Sequence, residues 1–162
     1  MALRPLRTNR KWAKAYSDRI ARMLLNKREL AAKAIKAAHL HRLDAALVCS
    51  IIQVASNWDA TKTEWKPSRW LLLQHPLDIG GFDMYKILGT RWGLMQVSGE
   101  EAYKLKYPHL DKLSEAEHSL DAGCLVFKHM GESPSLWFES DASRAQISLA
   151  LKPKYQQFTE SA

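Results

Sequence analysis

Residues 45–58, AALVCSIIQVASNW, put the strongest constraint on the fold. At 3.6 residues per turn Leu47, Ile51, Val54 and Trp58 form one stripe, and Val48, Ile52 and Ala55 lie beside it. A surface helix shows a narrower apolar face, so this spacing predicts a central and largely buried helix. Asp44 stands where an N-cap belongs. The last turn carries Gln53, Ser56 and Asn57, so the helix ends in polar and aromatic groups suited to a site. The residue in their midst, Ala55, offers only a methyl group.

The rest of the chain reads as helices of more ordinary kind. Trp12, Tyr16, Ile20 and Met23 or Leu24 recur at helical spacing, and Leu30, Ile35 and Leu40 continue less regularly. A helix over 8–42 follows, with Asn26 as the one place for a break. Its Lys and Arg residues make it either a basic interaction arm or an amphipathic helix with a solvated face. Residues 59–90 lack periodicity. They predict a long irregular excursion punctuated by Gly80-Gly81, of the kind that carries function. Ser98 and Glu101 form a capping box for a helix over 99–106, stopped by Pro108. Ser114 and Glu117 repeat the device for a helix over 115–130, which carries Leu120, Cys124 and Phe127 on one face and ends at Gly131. Asp141 starts a helix over 142–151, Pro153 interrupts it, and 154–159 form a last short turn. The sum is one mainly α domain of 162 residues: a basic helical segment, 1–42, and a core, 43–162.

A net charge of +7 draws such a surface to polyanions, whether nucleic acid, anionic membrane or an anionic wall polymer. The two cysteines, Cys49 and Cys124, fall on apolar helix faces and read as free thiols packed as small hydrophobes. Neither they nor the six histidines have metal-ligand or triad spacing, and no cofactor motif is present. No run of apolar residues is long enough to span a membrane.

Two stretches carry chemistry together: ALVCSIIQVASNWD (46–59) and TRWGLMQVSGEEA (90–102). They resemble the soluble lytic transglycosylases and the related goose-type lysozymes. In that family a central helix ends in a Glu-Ser pair, and a second segment reads Gly-Leu-Met-Gln-Val. The second motif is complete here at Gly93, Leu94, Met95, Gln96 and Val97. The first agrees at Ile51, Ile52, Gln53, Val54, Ser56, Asn57, Trp58 and Asp59, and fails at Ala55, where the family has its catalytic glutamate. LDAGCLVFK (120–128) is similar to the family's next helix, so the likeness spans roughly residues 40–130.

The resemblance implies a lysozyme-like fold with a cleft between the 44–58 helix and the 91–97 segment. It implies binding of peptidoglycan glycan strands, and a parent activity that cleaves between N-acetylmuramic acid and N-acetylglucosamine. The family's Glu acts first as acid, protonating the bond oxygen. It then acts as base, drawing the muramyl 6-hydroxyl proton to close an anhydro ring; the goose-type enzymes use water instead. By the same likeness Gln53, Ser56, Asn57, Glu64, Trp92, Gly93, Leu94, Met95 and Gln96 would line the glycan site, with Ser56 orienting the family's carboxylate or a sugar carbonyl, and Gln96 and the backbone of 93–96 hydrogen-bonding the glycan. Trp65, Trp70 and Trp92 could stack on sugar rings or simply pack.

Ala55 cannot move a proton, so catalysis as written should be severely impaired. Three origins stay open: a deliberate change, a natural loss, or transfer of the role to another carboxylate, Glu64 first. The family's C-terminal Ala-Tyr-Asn-Gly motif is missing from RAQISLALKPKYQQF (144–158), where Tyr155 resembles a tyrosine that follows it. A basic start without an apolar stretch implies no export leader. The expectation is a protein made in the cytoplasm and acting at the bacterial wall, as a phage endolysin or virion-associated component. The rival expectation is a non-catalytic module that keeps the lysozyme fold, with residues 1–42 contacting protein partners or, less readily, nucleic acid.

Overall fold

The computed structural model describes residues 10–139 and 141–160. Eight α-helices and three short strands are present among them, so the chain is mainly α.

Helix α1 (Arg10–Leu40) runs unbroken through Asn26, which faces solvent, so the expected break is absent. The side chains of Trp12, Tyr16, Ile20, Met23 and Leu24 lie outside the described residues, as do residues 1–9. Helix α2 (Ala45–Ser56) is the central one. Asp44 caps it, its Oδ1 accepting from Ala46 N at 2.9 Å and Leu47 N at 3.4 Å. Every residue of α2 except Gln53 and Val54 is buried, as the wide apolar face requires. Asn57 (φ 49°) and Trp58 (φ 63°), both left-handed, turn the chain out of it.

The stretch 59–90 corrects the reading of an irregular excursion. It contains β1 (Thr63–Trp65), α3 (Arg69–Leu73), a 3-10 turn (Pro76–Ile79) and α4 (Phe82–Gly89). Gly80 (φ 111°) and Gly81 (φ 95°) join the last two. Strand β1 pairs antiparallel with β2 (Thr90–Trp92), and β2 with β3 (Val97–Ser98), so the GLMQ motif forms the turn of a hairpin. Glycine lets these pieces close. A Cβ on Gly89 would lie 2.3 Å from the Trp65 ring, and one on Gly99 would lie 2.0 Å from the Ile87 carbonyl oxygen.

Helix α5 (Gly99–Lys104) is capped by Ser98, whose Oγ accepts from Glu101 N. Helix α6 (Ala116–His129) begins instead at Glu115 with no side-chain cap, so the expected Ser114 cap does not form. It ends as a Schellman turn at Gly131 (φ 74°), with Glu132 N donating to Phe127 O and Gly131 N to Lys128 O. After α7 (Pro134–Trp137), Asp141 Oδ1 accepts from Arg144 N and caps α8 (Ala142–Glu160).

Helix α8 passes straight through Pro153, against the expected interruption. Proline lacks the N–H that would reach the Leu149 carbonyl. Leu149 is 50% exposed, so water can take that bond, while packing of α8 along α2 holds the helix together. The core sits around α2: Val48, Ile51 and Ile52 belong to one cluster with Leu94, Met95, Val97, Leu120, Phe127 and Trp137. No described helix is long and apolar enough to cross a membrane.

Candidate functional site

The C-terminal turn of α2, the hairpin turn, strand β1 and the start of α8 enclose a cleft of about 180 Å³. Ala55, Glu64, Met95, Gln96, Phe138 and Asp141 are among its walls. A second hollow of about 350 Å³ extends toward α5 and α7, and Lys66, Arg91, Gln96 and Trp137 line both.

Ala55 is 2% exposed and forms part of the cleft wall, while its carbonyl accepts a 2.7 Å hydrogen bond from Lys62 Nζ. That bond satisfies one of the free carbonyls at the end of α2 and sets a positive charge beside position 55. Met95 is fully buried; its carbonyl accepts from Trp137 Nε1 at 3.1 Å, and its sulfur lies 4.0 Å from Cys124 Sγ. Gly123 makes room for it, since a Cβ there would come within 2.7 Å of Met95 Sδ.

Gln96 adopts φ 54° at the hairpin turn, and its Nε2 donates to the carbonyls of Lys62 (2.8 Å) and Gly93 (2.9 Å). Gly93 has φ 68°, and a Cβ would strike Ser119 Oγ at 2.3 Å, so the turn is pressed onto α6. Leu94 points into the core.

Strand alternation sorts β1. Glu64 and the following Lys66 both line the cleft, whereas Trp65, half exposed, packs on Tyr85 with ring centroids 5.6 Å apart. Arg91, opposite Glu64 in the register, sends its guanidinium to the Glu139 carboxylate. Arg144 pairs with Asp141 at 3.5 Å.

Of the residues expected at the site, Ala55, Glu64, Met95 and Gln96 therefore meet in one cleft, and the others do not line it. Gln53 accepts from the Tyr155 hydroxyl, which in turn accepts from Trp58 Nε1 at 3.0 Å, so that pair serves the α2–α8 contact. Burial pushes the Tyr155 hydroxyl pKa up, partly opposed by the Trp58 hydrogen bond. Ser56 is buried and donates to Ile52 O within its own helix. Asn57 is exposed at the end of α2. Trp92 donates through Nε1 to Ile87 O, and Trp70 is 47% exposed on α3; neither lines the cleft.

Lys62, Lys66, Arg91, Trp137, Phe138, Asp141 and Arg144 were not anticipated. Recognising β1 as a strand would have placed Lys66 beside Glu64. Nothing in the sequence points to Trp137 or Phe138.

Cys49 and Cys124 are free and buried, and burial pushes both thiols up to about 12, with lesser contributions from the Asp44 and Asp121 charges. They are packing groups, as expected. Among the described residues no cluster of His, Cys, Asp or Glu could hold a metal ion.

No family model, curated protein or solved structure matches this chain.

Proposed function

We propose that this protein is a lysozyme-like domain of the lytic transglycosylase class that binds peptidoglycan glycan strands at the bacterial wall and has lost the acid that cleaves them. The observation that carries the reading is the meeting of Ala55 with Met95, Gln96 and Glu64 around one cleft. A glutamate at position 55 would extend from the end of a buried helix into this hollow, where a general acid for glycoside cleavage needs partial burial. With alanine the chain keeps the walls and lacks the proton donor. Glu64 is the candidate to supply one, being on the cleft wall without an ion-pair partner among the described residues, whereas Asp141 is paired with Arg144.

The test is co-sedimentation with purified peptidoglycan sacculi together with turbidity clearing, for the chain as it stands and for Ala55→Glu. Binding by both with clearing only by Ala55→Glu is expected. Clearing by the unaltered chain, abolished by Glu64→Gln, would move the acid to Glu64. Absence of binding in both folded proteins would end the glycan reading.

One observation favours a second reading, a non-catalytic structural or interaction module. Tyr155 is engaged by Gln53 and Trp58 and takes no part in the cleft, and the Tyr-Asn-Gly segment is missing. In that case Ala55→Glu folds, stays inactive, and the basic 1–42 segment carries the contacts to a protein partner.

A further inference from the structure

We propose that the face carried by α3, the 3-10 turn and α4 is a docking surface for an anionic lipid bilayer; this does not depend on the glycan-binding reading above. In the run WLLL (70–73) only Leu71 is buried, packed beside Gly89, while Trp70, Leu72 and Leu73 stand outward. Leu77 in the 3-10 turn and Phe82 at the head of α4 join them. Leu73 is 75% exposed, Phe82 69% and Leu77 66%. Gly81 N donates to Pro76 O at 2.8 Å and closes the chain between the turn and α4, so Leu77 and Phe82, the residues that follow these two, are neighbours. A group of large apolar side chains left in water marks a contact surface. Exposures this high belong to side chains that protrude, so the face is a set of prongs and not a groove.

Charge and shape select what covers it. The stretch WKPSRWLLLQHPL (65–77) holds Lys66 and Arg69 and no carboxylate. Lys86 adds a cation on α4, and all three are exposed with no ion-pair partner among the described residues. Asp78 and Asp83 are the acids of this face. Each lies in the first turn of its helical piece, where free N–H groups offset the charge.

Unpaired Lys and Arg around projecting Leu, Phe and Trp suit a segment that lies in a headgroup layer. The cations meet phosphates, the apolar tips enter the acyl boundary, and the indole sits between. A fluid surface accepts prongs of any outline, whereas a rigid partner must supply matching holes. A second copy of the chain would bring its own charge of +7 against the first. Lys66 also lines both hollows of the cleft, so docking here would hold the cleft mouth close to the bilayer.

Co-sedimentation of the full chain with phosphatidylcholine vesicles, alone or with about a quarter phosphatidylglycerol, tests this. The anionic vesicles should bind at least about tenfold tighter than the neutral ones. Leu73→Ser/Leu77→Ser/Phe82→Ser removes three tips that contribute little to the core. It should weaken anionic binding at least about tenfold, with melting confirming the fold. Arg69→Gln/Lys86→Gln should weaken it by about tenfold as well. Ile147→Ser/Leu149→Ser removes half-exposed apolar groups from α8 instead and should bind as the unaltered chain does.

Failure of the folded chain to bind anionic vesicles would overturn the inference. So would undiminished binding by the folded triple variant, which would leave charge alone, α1 first, as the cause. An equal loss in the α8 variant would do the same. A dimer in sedimentation velocity that the triple variant abolishes would give the face to a second copy and also overturn it. Sacculi carry no bilayer, so their co-sedimentation reports on the glycan reading whichever way the vesicles behave.

Discussion

Introducing a carboxylate at position 55 has a consequence that the cleft electrostatics make specific. Ala55→Glu places its acid near Lys62 Nζ, which already bonds the Ala55 carbonyl at 2.7 Å. Arg91 and Arg144 also face the cleft, but each is paired with a carboxylate, Glu139 and Asp141 respectively. Lys66 lines the cleft as well and has no ion-pair partner among the described residues, but Lys62 is the cation bonded to residue 55 itself, so the effect is worked for Lys62. At an effective dielectric of about 20, a unit charge ~4 Å away is worth ~4 kcal/mol. One pKa unit is ~1.4 kcal/mol, so a third of that interaction lowers the new carboxyl by about one unit. Desolvation pushes the other way and must exceed this to keep the acid protonated near neutrality. Lowering the pKa reduces the protonated fraction at pH 7, so clearing by Ala55→Glu should rise as pH falls. Removing the charge in Ala55→Glu/Lys62→Met should raise the pKa and shift the clearing optimum upward by about one unit. It should also recover more of the ~10²- to 10⁴-fold that a general acid contributes. Turbidity clearing of sacculi from pH 4 to 8 reads both effects. An optimum identical in the single and double variants, both folded and active, would refute the role given to Lys62.

Gly99→Ala should cost roughly 2–4 kcal/mol, because the added methyl meets the Ile87 backbone at 2.0 Å and α4 must shift. Gly131→Ala meets nothing within 4 Å and should lose only about 1 kcal/mol for its left-handed backbone; thermal melts of the two separate the causes. Tyr155→Phe removes the hydroxyl that links Gln53 to Trp58 and should lower stability by about 1–2 kcal/mol in urea titration, with sacculi binding unchanged. Unfolded thiols lose their protons near pH 9, whereas native Cys49 and Cys124 hold theirs to about 12. Between these values the native state binds more protons, so stability falls as pH rises, by about 1.4 kcal/mol per unit for each thiol. Urea midpoints at pH 8 and 10.5 should show a steeper loss for this chain than for Cys49→Ala/Cys124→Ala.

Local chemistry was legible wherever a single side chain decides the outcome. Asp44, Ser98 and Asp141 cap helices as their positions imply, and the breadth of the α2 apolar face announces its burial. Ser114 misled because a capping box is a pattern, and the chain enters α6 one residue later, at Glu115. Pro153 misled because tertiary packing of α8 on α2 outweighs the loss of one bond. The sheet escaped notice because strands of two or three residues contain too few positions to show a period of two. The site was half visible for a related reason. Residues adjacent in a motif share a segment but not a direction: Ala55 lines the cleft, while Gln53, two positions earlier, turns toward Tyr155. Lys66, Arg91 and Trp137 arrive from elements whose approach only the assembled fold defines.

Met95 ties the hollow to the interior of the molecule. Its carbonyl carries the Trp137 indole, its thioether rests on Gly123 and Cys124, and it borders the same space as Ala55. The base of the cleft is therefore load shared with the hydrophobic core, and substitutions there are felt as unfolding before they are felt as altered recognition. Lys66, Glu139 and Arg144 sit on the rim with their side chains in water, where exchange is cheap. Divergence among copies of this protein should accumulate around the mouth and leave the bottom untouched.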